Sequence, residues 1–374
     1  MVKLRDTNAG SADQGERLAS LDATRGIVLL LFVSGGFGLR VMLPGARWGW
    51  ITGQWTHRDW FGCSLWDLLQ PALLFIAGVA LSYSYTNRQA LGQNWFRQFG
   101  HALLRSAILI ALGIYLDSYQ ANRLLWWEVR GDLQLIGLAY LLAFLVVPLG
   151  VAVQSITVGF LLIGHIAAFV IYGIATGQDF WLPDQNVGIV VDRWLRLGAH
   201  PRHLATLNGI PATALVLLGT LFAGLVRGGL TPGAKVAVMT LCSLTCILLG
   251  WVLSGGNGWI DASWFTVVPM IPRLMTFTFV LTAVGWTLLL FTYFYLVMDG
   301  LQLQSWGTPL SLMGRNSLLL FLTFTLAQGW AVRSASLILP ASWTLRPLFV
   351  TLIVIAMFWL LCFFLYRRRI FVKV

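Results

Sequence analysis

Ten apolar runs set the terms for this chain: 25–43, 66–86, 101–117, 133–149, 155–176, 209–226, 235–254, 273–297, 309–330 and 347–366. A bilayer-spanning helix uses about 20 apolar residues. Hydrocarbon offers no water to unpaired backbone N–H and C=O groups, so only helices and closed barrels cross it. Barrel strands alternate in polarity over about 10 residues, and these runs do not alternate. The runs therefore predict an all-α integral membrane protein with about ten transmembrane helices. Composition agrees: 58% of the 374 residues are hydrophobic and 10% are charged, against roughly 25% charged in a soluble domain. A soluble enzyme on a single anchor is excluded. One polytopic membrane domain is expected over 20–374. The tail before it, 1–19, has no apolar core, so it reads as disordered and not as a signal peptide.

Charge gives the expected orientation. The 25 Lys and Arg outnumber the 14 Asp and Glu, for a formal net charge of +11. Ten spans put both termini on one side. Lys3, Arg5, Arg17, Arg25, Arg88, Arg97, Arg105, Arg227, Lys235, Arg367, Arg368, Arg369 and Lys373 all fall on that side. The positive-inside rule makes it cytosolic. Nucleic acid is not an expected partner, because no soluble basic stripe is interleaved with aromatics. The 18 Trp suit the membrane–water interfaces. Cys63, Cys242, Cys246 and Cys362 form no CxxC pair, so neither a metal site nor a redox pair is expected.

Two non-cytosolic segments, 44–65 and 177–208, are long enough to carry a function. The first helix is unusual. Gly35, Gly36 and Gly38 follow Arg25 by ten residues or a little more, about 15 Å of helical rise, which is near the bilayer midplane. Such glycines either allow close helix packing or break a helix that lines a cavity.

Ionisable groups in or beside a span are costly, and each is a functional candidate. His57 is of the residue type suited to a general base or acyl carrier. Asp67, ten residues on, could orient the imidazole, but Ser64-x-x-Asp67 is also a capping box at a helix start. Cys63 is a rival nucleophile that nothing in the sequence marks as activated. His200 and His203 read as a solvated loop, and His101 and His165 as helix-end or core residues. Asp22 and Arg25 are three apart and can pair on one helix face. Gln134, Asn208, Asn316 and Ser317 could line a polar cavity or bond between helices. Arg273 and Arg315 could grip phosphates or snorkel. No Walker loop, GxGxxG or HExxH is present, which removes support for ATP-driven and nicotinamide chemistry.

Several of these residues fall in a familiar pattern. Ser20-Leu21-Asp22-Ala23-Thr24-Arg25-Gly26 resembles the SLDxxRG opening of transmembrane acyltransferases. His57-x-x-Trp60-x-Gly62, Asp67-Leu68-x-x-Pro71 and Phe75-Ile76-x-Gly78 resemble the HxxWxG and DLxxPxFxFIxG blocks of the heparan-α-glucosaminide N-acetyltransferase family. Weaker matches follow in order. They are Gly131-Asp132-Leu133-Gln134 (GVLQ), Asp192-Arg193-Trp194-Leu195 with Ala205-Thr206-Leu207-Asn208, Gly314-Arg315-Asn316-Ser317 (GMNS) and Tyr366-Arg367-Arg368-Arg369-Ile370-Phe371. The chain departs from the family in three places. It has no Asn between Arg25 and His57, Leu135 stands where the family has Arg, and no His-Glu pair follows Ser317. The glycine version of the first helix resembles a bacterial branch.

The resemblance implies a multi-helix acyltransferase of the bacterial inner membrane with both termini cytosolic. Acetyl-CoA or another acyl-CoA would be a co-substrate, with no permanently bound cofactor. Catalysis would fall to His57 and Asp67, the acyl-CoA to Asp22, Arg25, Gln134, Arg315, Asn316 and Ser317, and the acceptor to Asn208 and Arg273. Expected partners are membrane lipids, acyl-CoA and a sugar or glycan acceptor, with a homodimer allowed. A non-enzymatic transporter or flippase of a sugar or lipid intermediate is the alternative that the bundle and its glycines also fit.

Overall fold

A computed structural model describes residues 18–125, 127–198, 204–256 and 267–371. Among these residues there is no strand. Helix α1 (Ala19–Ser34) begins six residues before the apolar run, so Asp22 and Arg25 lie inside the helix. It ends at the glycines. Gly35, Gly36 and Gly38 adopt φ of 52°, 81° and 68°, a region that side chains with a Cβ rarely enter. The chain turns there into the short α2 (Leu39–Met42). Close packing accompanies the break, because a Cβ on Gly36 would press on Trp55 and one on Gly38 on Pro347.

The loop with α3 (Gly49–Thr52) carries His57. A 3-10 turn, Trp66–Leu68, leads into α4 (Leu69–Ala90). Next come α5 (Trp95–Ala121), capped by the Asn94 side chain, and α6 (Asp132–Val146). Pro148 and Gly150, the latter at φ 87°, end α6 and start α7 (Gly150–Thr176). The second long loop holds α8 (Val187–Trp194), and α9 (Gly209–Arg227) and α10 (Pro232–Leu253) follow. Helix α11 (Phe277–Phe294) runs into a π-helical turn at Tyr295–Gly300. Asn316, at ψ 37°, splits the ninth expected span into α12 (Thr308–Arg315) and α13 (Ser317–Ile338). Helix α14 (Arg346–Arg367) closes the bundle.

Among the described residues, eight segments are long and apolar enough to cross a membrane. One of them, Asp132–Thr176, contains both α6 and α7. Helix α1, at 16 residues, rises only about 24 Å and falls short of a roughly 30 Å hydrocarbon core. The expected ten is therefore approximate, and the protein is a multi-pass helical membrane protein. Its centre is α9, whose apolar window is 72% buried, while α10 and α14, at 17%, are peripheral.

Glycines set the closest crossings. A Cβ on Gly78 of α4 would strike the Val216 carbonyl of α9, and one on Gly219 the Phe75 carbonyl of α4. Helices α1 and α12 meet in the same way, with Gly26 against the Leu310 carbonyl and Gly314 against the Asp22 carbonyl. That second crossing brings Arg315 beside Asp22.

Candidate active site

The loop before α4 folds onto one carboxylate. Asp67 Oδ2 accepts from the Ser64 backbone N–H (3.1 Å), the Ser64 hydroxyl (2.8 Å) and the Arg58 N–H (3.2 Å). The Asp67 N–H in turn donates to Ser64 Oγ at 3.3 Å. This is a reciprocal capping box. It uses one oxygen only. The other, Oδ1, lies 2.7 Å from His57 Nδ1. Asp67 thus meets the capping box through one oxygen and the imidazole through the other. A carboxylate facing Nδ1 selects the tautomer protonated there, which leaves Nε2 as the acceptor. The Asp67 side chain is 2% exposed and that of His57 is 45% exposed. The ring is thus held from the protein side and open on the other.

Cys63 is adjacent and of opposite character. Burial pushes its thiol well above the ordinary value, the Asp67 carboxylate adds to the rise, and Arg58 opposes it. The nucleophilic form of a Cys is the thiolate, and this site suppresses it.

His57 and Asp67 line a cavity of about 900 Å³. Its walls come from α1, α4, α5, α6 and α13. Along α4 the lining residues include Gln70, Leu73, Ala77, Ala80, Ser84 and Arg88, a stripe at three- and four-residue spacing that occupies one helix face. From Asp67 to Arg88 that stripe rises about 31 Å, a full hydrocarbon thickness. The far end holds Arg25, Arg88, Arg105 and Arg315, with Gln93, Gln98 and His101. There Arg105 lies over the Tyr140 ring at 4.5 Å and Arg315 over Tyr366 at 5.4 Å. The cavity carries arginines at one end and the His–carboxylate pair at the other.

The sequence candidates distribute unevenly around this space. Asp22, Arg25, Arg315 and Ser317 line the arginine end, where Asp22 pairs with Arg315 at 3.5 Å. Arg273 lines the His57 end, together with Pro272 and Leu204. Asn208 is buried behind it, its Nδ2 donating to the Arg273 carbonyl at 2.8 Å. Asn316 is buried where α12 meets α13, and its Nδ2 faces the Ile370 carbonyl at 3.4 Å. Gln134 stands outside the large cavity and donates to Asp117 Oδ2 at 2.7 Å. His165 is buried in α7, and His200 and His203 lie outside the described residues.

The rim at the His57 end is a rigid set of loops. Trp60 Nε1 donates to the Trp181 carbonyl at 2.6 Å, and the Gly62 N–H to the Met270 carbonyl at 2.8 Å. Arg130 clasps Glu128 with two bonds of 2.8 Å and reaches Asp192 at 3.0 Å. Asp192 accepts the Thr206 N–H at 3.0 Å through its other oxygen. Burial works against the Arg130 charge, but the hydrogen bonds and charges of Glu128 and Asp192 outweigh it and raise its pKa.

One polar group was not singled out from sequence. Gln70 follows Asp67 by three residues and lines the cavity, and its buried Nε2 has no hydrogen-bond partner. An unmade buried bond costs about 1–3 kcal/mol, so such a donor needs a reason. Arg88 and Arg105 were read only as topology markers. The available signal was their recurrence on the same helix faces as Gln70 and His101.

No protein-family model matches the chain. Two curated proteins do. The heparan-alpha-glucosaminide N-acetyltransferase of Homo sapiens is 34% identical over 128 residues, which is 33% of this chain and 18% of that protein. Its counterpart in Mus musculus is 30% identical over 139 residues, 36% of this chain and 19% of that protein. The chain is a distant relative of these proteins, and the similarity spans about a fifth of their length.

Proposed function

We propose, from this distant kinship, that the chain is an integral-membrane acyltransferase. It moves an acetyl or other acyl group from cytosolic acyl-CoA to an amino sugar or other glycan acceptor on the opposite, periplasmic side of a bacterial inner membrane. One observation carries the reading: a single cavity holds four arginines at one end and an oriented imidazole at the other.

Arg25, Arg88, Arg105 and Arg315 suit the phosphates of CoA, because guanidinium groups bind phosphate through paired donors. The cavity walls between the ends are largely apolar and suit a flexible thioester arm. At the far end Asp67 keeps His57 in the tautomer whose Nε2 is basic. Nε2 takes the proton as the acceptor nitrogen or oxygen attacks the thioester carbonyl. The C–S bond then breaks, and the imidazolium returns the proton to the departing thiolate. Asp67 stabilises the imidazolium in between. Gln70 Nε2 is the donor best suited to the developing oxyanion, since it is buried, already lacks a partner and lies in the same cavity.

The test is transfer of labelled acetyl from acetyl-CoA by purified protein. His57→Ala is expected to lose about 10²- to 10⁴-fold in rate, the usual contribution of a general base. Transfer at the wild-type rate in that variant would refute the mechanism.

A further inference from the structure

The capping box before α4 leaves one group over. In such a box the serine oxygen accepts the backbone N–H three residues on, and the acidic side chain accepts the serine's own N–H. Both bonds join Ser64 and Asp67. Neither uses the hydroxyl proton of Ser64. A hydroxyl is a donor as well as an acceptor, and Ser64 is 1% exposed, so its proton has to find a protein acceptor. Two are in reach, the Thr56 carbonyl at 2.7 Å and Asp67 Oδ2 at 2.8 Å.

Both acceptors bear on His57. Thr56 is the residue before it, and Asp67 Oδ1 lies 2.7 Å from its Nδ1. On its other side the Arg58 N–H donates to Asp67 Oδ2 at 3.2 Å. The backbone on each side of His57 is therefore fastened to the same Ser64–Asp67 unit, once through the hydroxyl and once through the carboxylate. The two attachments are not equivalent. Asp67 Oδ2 has two backbone donors besides the hydroxyl. Among the described residues, no other group donates to the Thr56 carbonyl. Loss of the hydroxyl would leave the carboxylate held and release the chain just ahead of the imidazole.

We propose that Ser64 is a positioning residue for His57. Through the Thr56 carbonyl it keeps Nδ1 on Asp67 Oδ1, and so keeps Nε2 as the acceptor. A reacting group has to be held to within about 0.5 Å and roughly 10–20°. Most side chains gain that precision from packing, but the His57 side chain is 45% exposed and sits in a loop. Hydrogen bonds to its two backbone neighbours supply the restraint that packing does not. The consequence for acyl transfer rests on the reading of His57 as the general base; the hold on the ring does not.

Two substitutions separate positioning from capping. Ser64→Gly lacks the hydroxyl, yet glycine serves at a helix N-cap nearly as well as serine. Ser64→Thr keeps the hydroxyl. On the purified full chain, nitrogen NMR of isotope-labelled histidine reads the His57 tautomer, with His57→Ala identifying its signal, and labelled acetyl transfer reads kcat and KM. Ser64→Gly is expected to turn the single Nδ1-protonated form into a mixture. It should lower kcat about ten- to a hundredfold, the cost of misplacing a reacting group by about 1 Å. KM for acetyl-CoA should not move, because the arginines line the other end of the cavity. Ser64→Thr should keep the wild-type tautomer and kcat. A serine that only caps predicts that all three proteins behave alike. That result overturns the proposal, as does a mixed tautomer with wild-type kcat. Binding of desacetyl-CoA shows that Ser64→Gly is folded, and Ser64→Ala, which lacks the same proton, replaces it under the same criteria if it is not. His57→Ala that transfers acetyl at the wild-type rate would sink the general base, and the tautomer alone would then decide whether Ser64 holds the ring.

Discussion

Asp67 divides its two oxygens between the loop that precedes α4 and the His57 ring, and that division makes the neighbouring side chains testable one at a time. Gln70 is the sharpest case. Replacing it with Leu removes an orphaned donor, so the fold should gain about 1–3 kcal/mol and melt at higher temperature. The same change should lower kcat by about 10²- to 10³-fold, the cost of one oxyanion donor, with acyl-CoA binding unchanged. A variant that is both more stable and fully active would show that Gln70 has no part in the chemistry. Cys63 makes the opposite prediction. Its raised pKa keeps the thiol protonated at neutral pH, so alkylation should be slow and should accelerate only as the pH climbs above the ordinary thiol value. Cys63→Ser should retain transfer activity, as measured with labelled acetyl-CoA. The sequence named His57, Asp67 and Cys63 as neighbours. It already placed Cys63 below His57, but it could not show the burial that suppresses the thiolate or which oxygen of Asp67 faces which proton.

At the level of elements, the decisive contacts are backbone against backbone. Helices α1 and α12 touch at Gly26 and Gly314 with no room for a methyl group, and this is what sets Arg315 beside Asp22. Gly26→Ala should therefore push the two helices apart at a cost of about 1–3 kcal/mol, the range for overpacking. Thermal unfolding in detergent would record it, together with a raised KM for acyl-CoA as the arginine end loosens. Serine at Gly49, which has open space around its Cα, is a control that should leave both unchanged. The expected pairing of Asp22 with Arg25 rested on spacing within one helix. Asp22 does act on the Arg25 charge, and it also reaches across to Arg315 of α12, because a crossing set by two glycines brings that partner close.

For the molecule as a whole, the property that matters is continuity between the arginine end and His57. Ala77 lies about midway along the α4 stripe and lines the cavity. Ala77→Phe should obstruct a thioester arm there, lowering kcat/KM by about a hundredfold, the penalty for small misplacement of a reacting group. Binding of desacetyl-CoA at the arginine end should persist. Equal loss of both would mean that the ring disturbs the fold and does not merely plug the passage. Of the residues lining this passage the sequence singled out Asp22, Arg25, His57, Asp67, Arg273, Arg315 and Ser317, and it passed over Gln70, Arg88 and Arg105 as lining groups. Apolar runs determined the helical class and the multi-pass arrangement, since hydrocarbon admits few backbone solutions and periodicity records them, whereas the glycines after Ser34 left close packing and a helix break both open. Which faces of α1, α4, α5, α6 and α13 enclose a common space was left to the tertiary structure. A helix face is chosen by what it packs against, and five segments far apart in sequence carry no local mark of sharing one cavity.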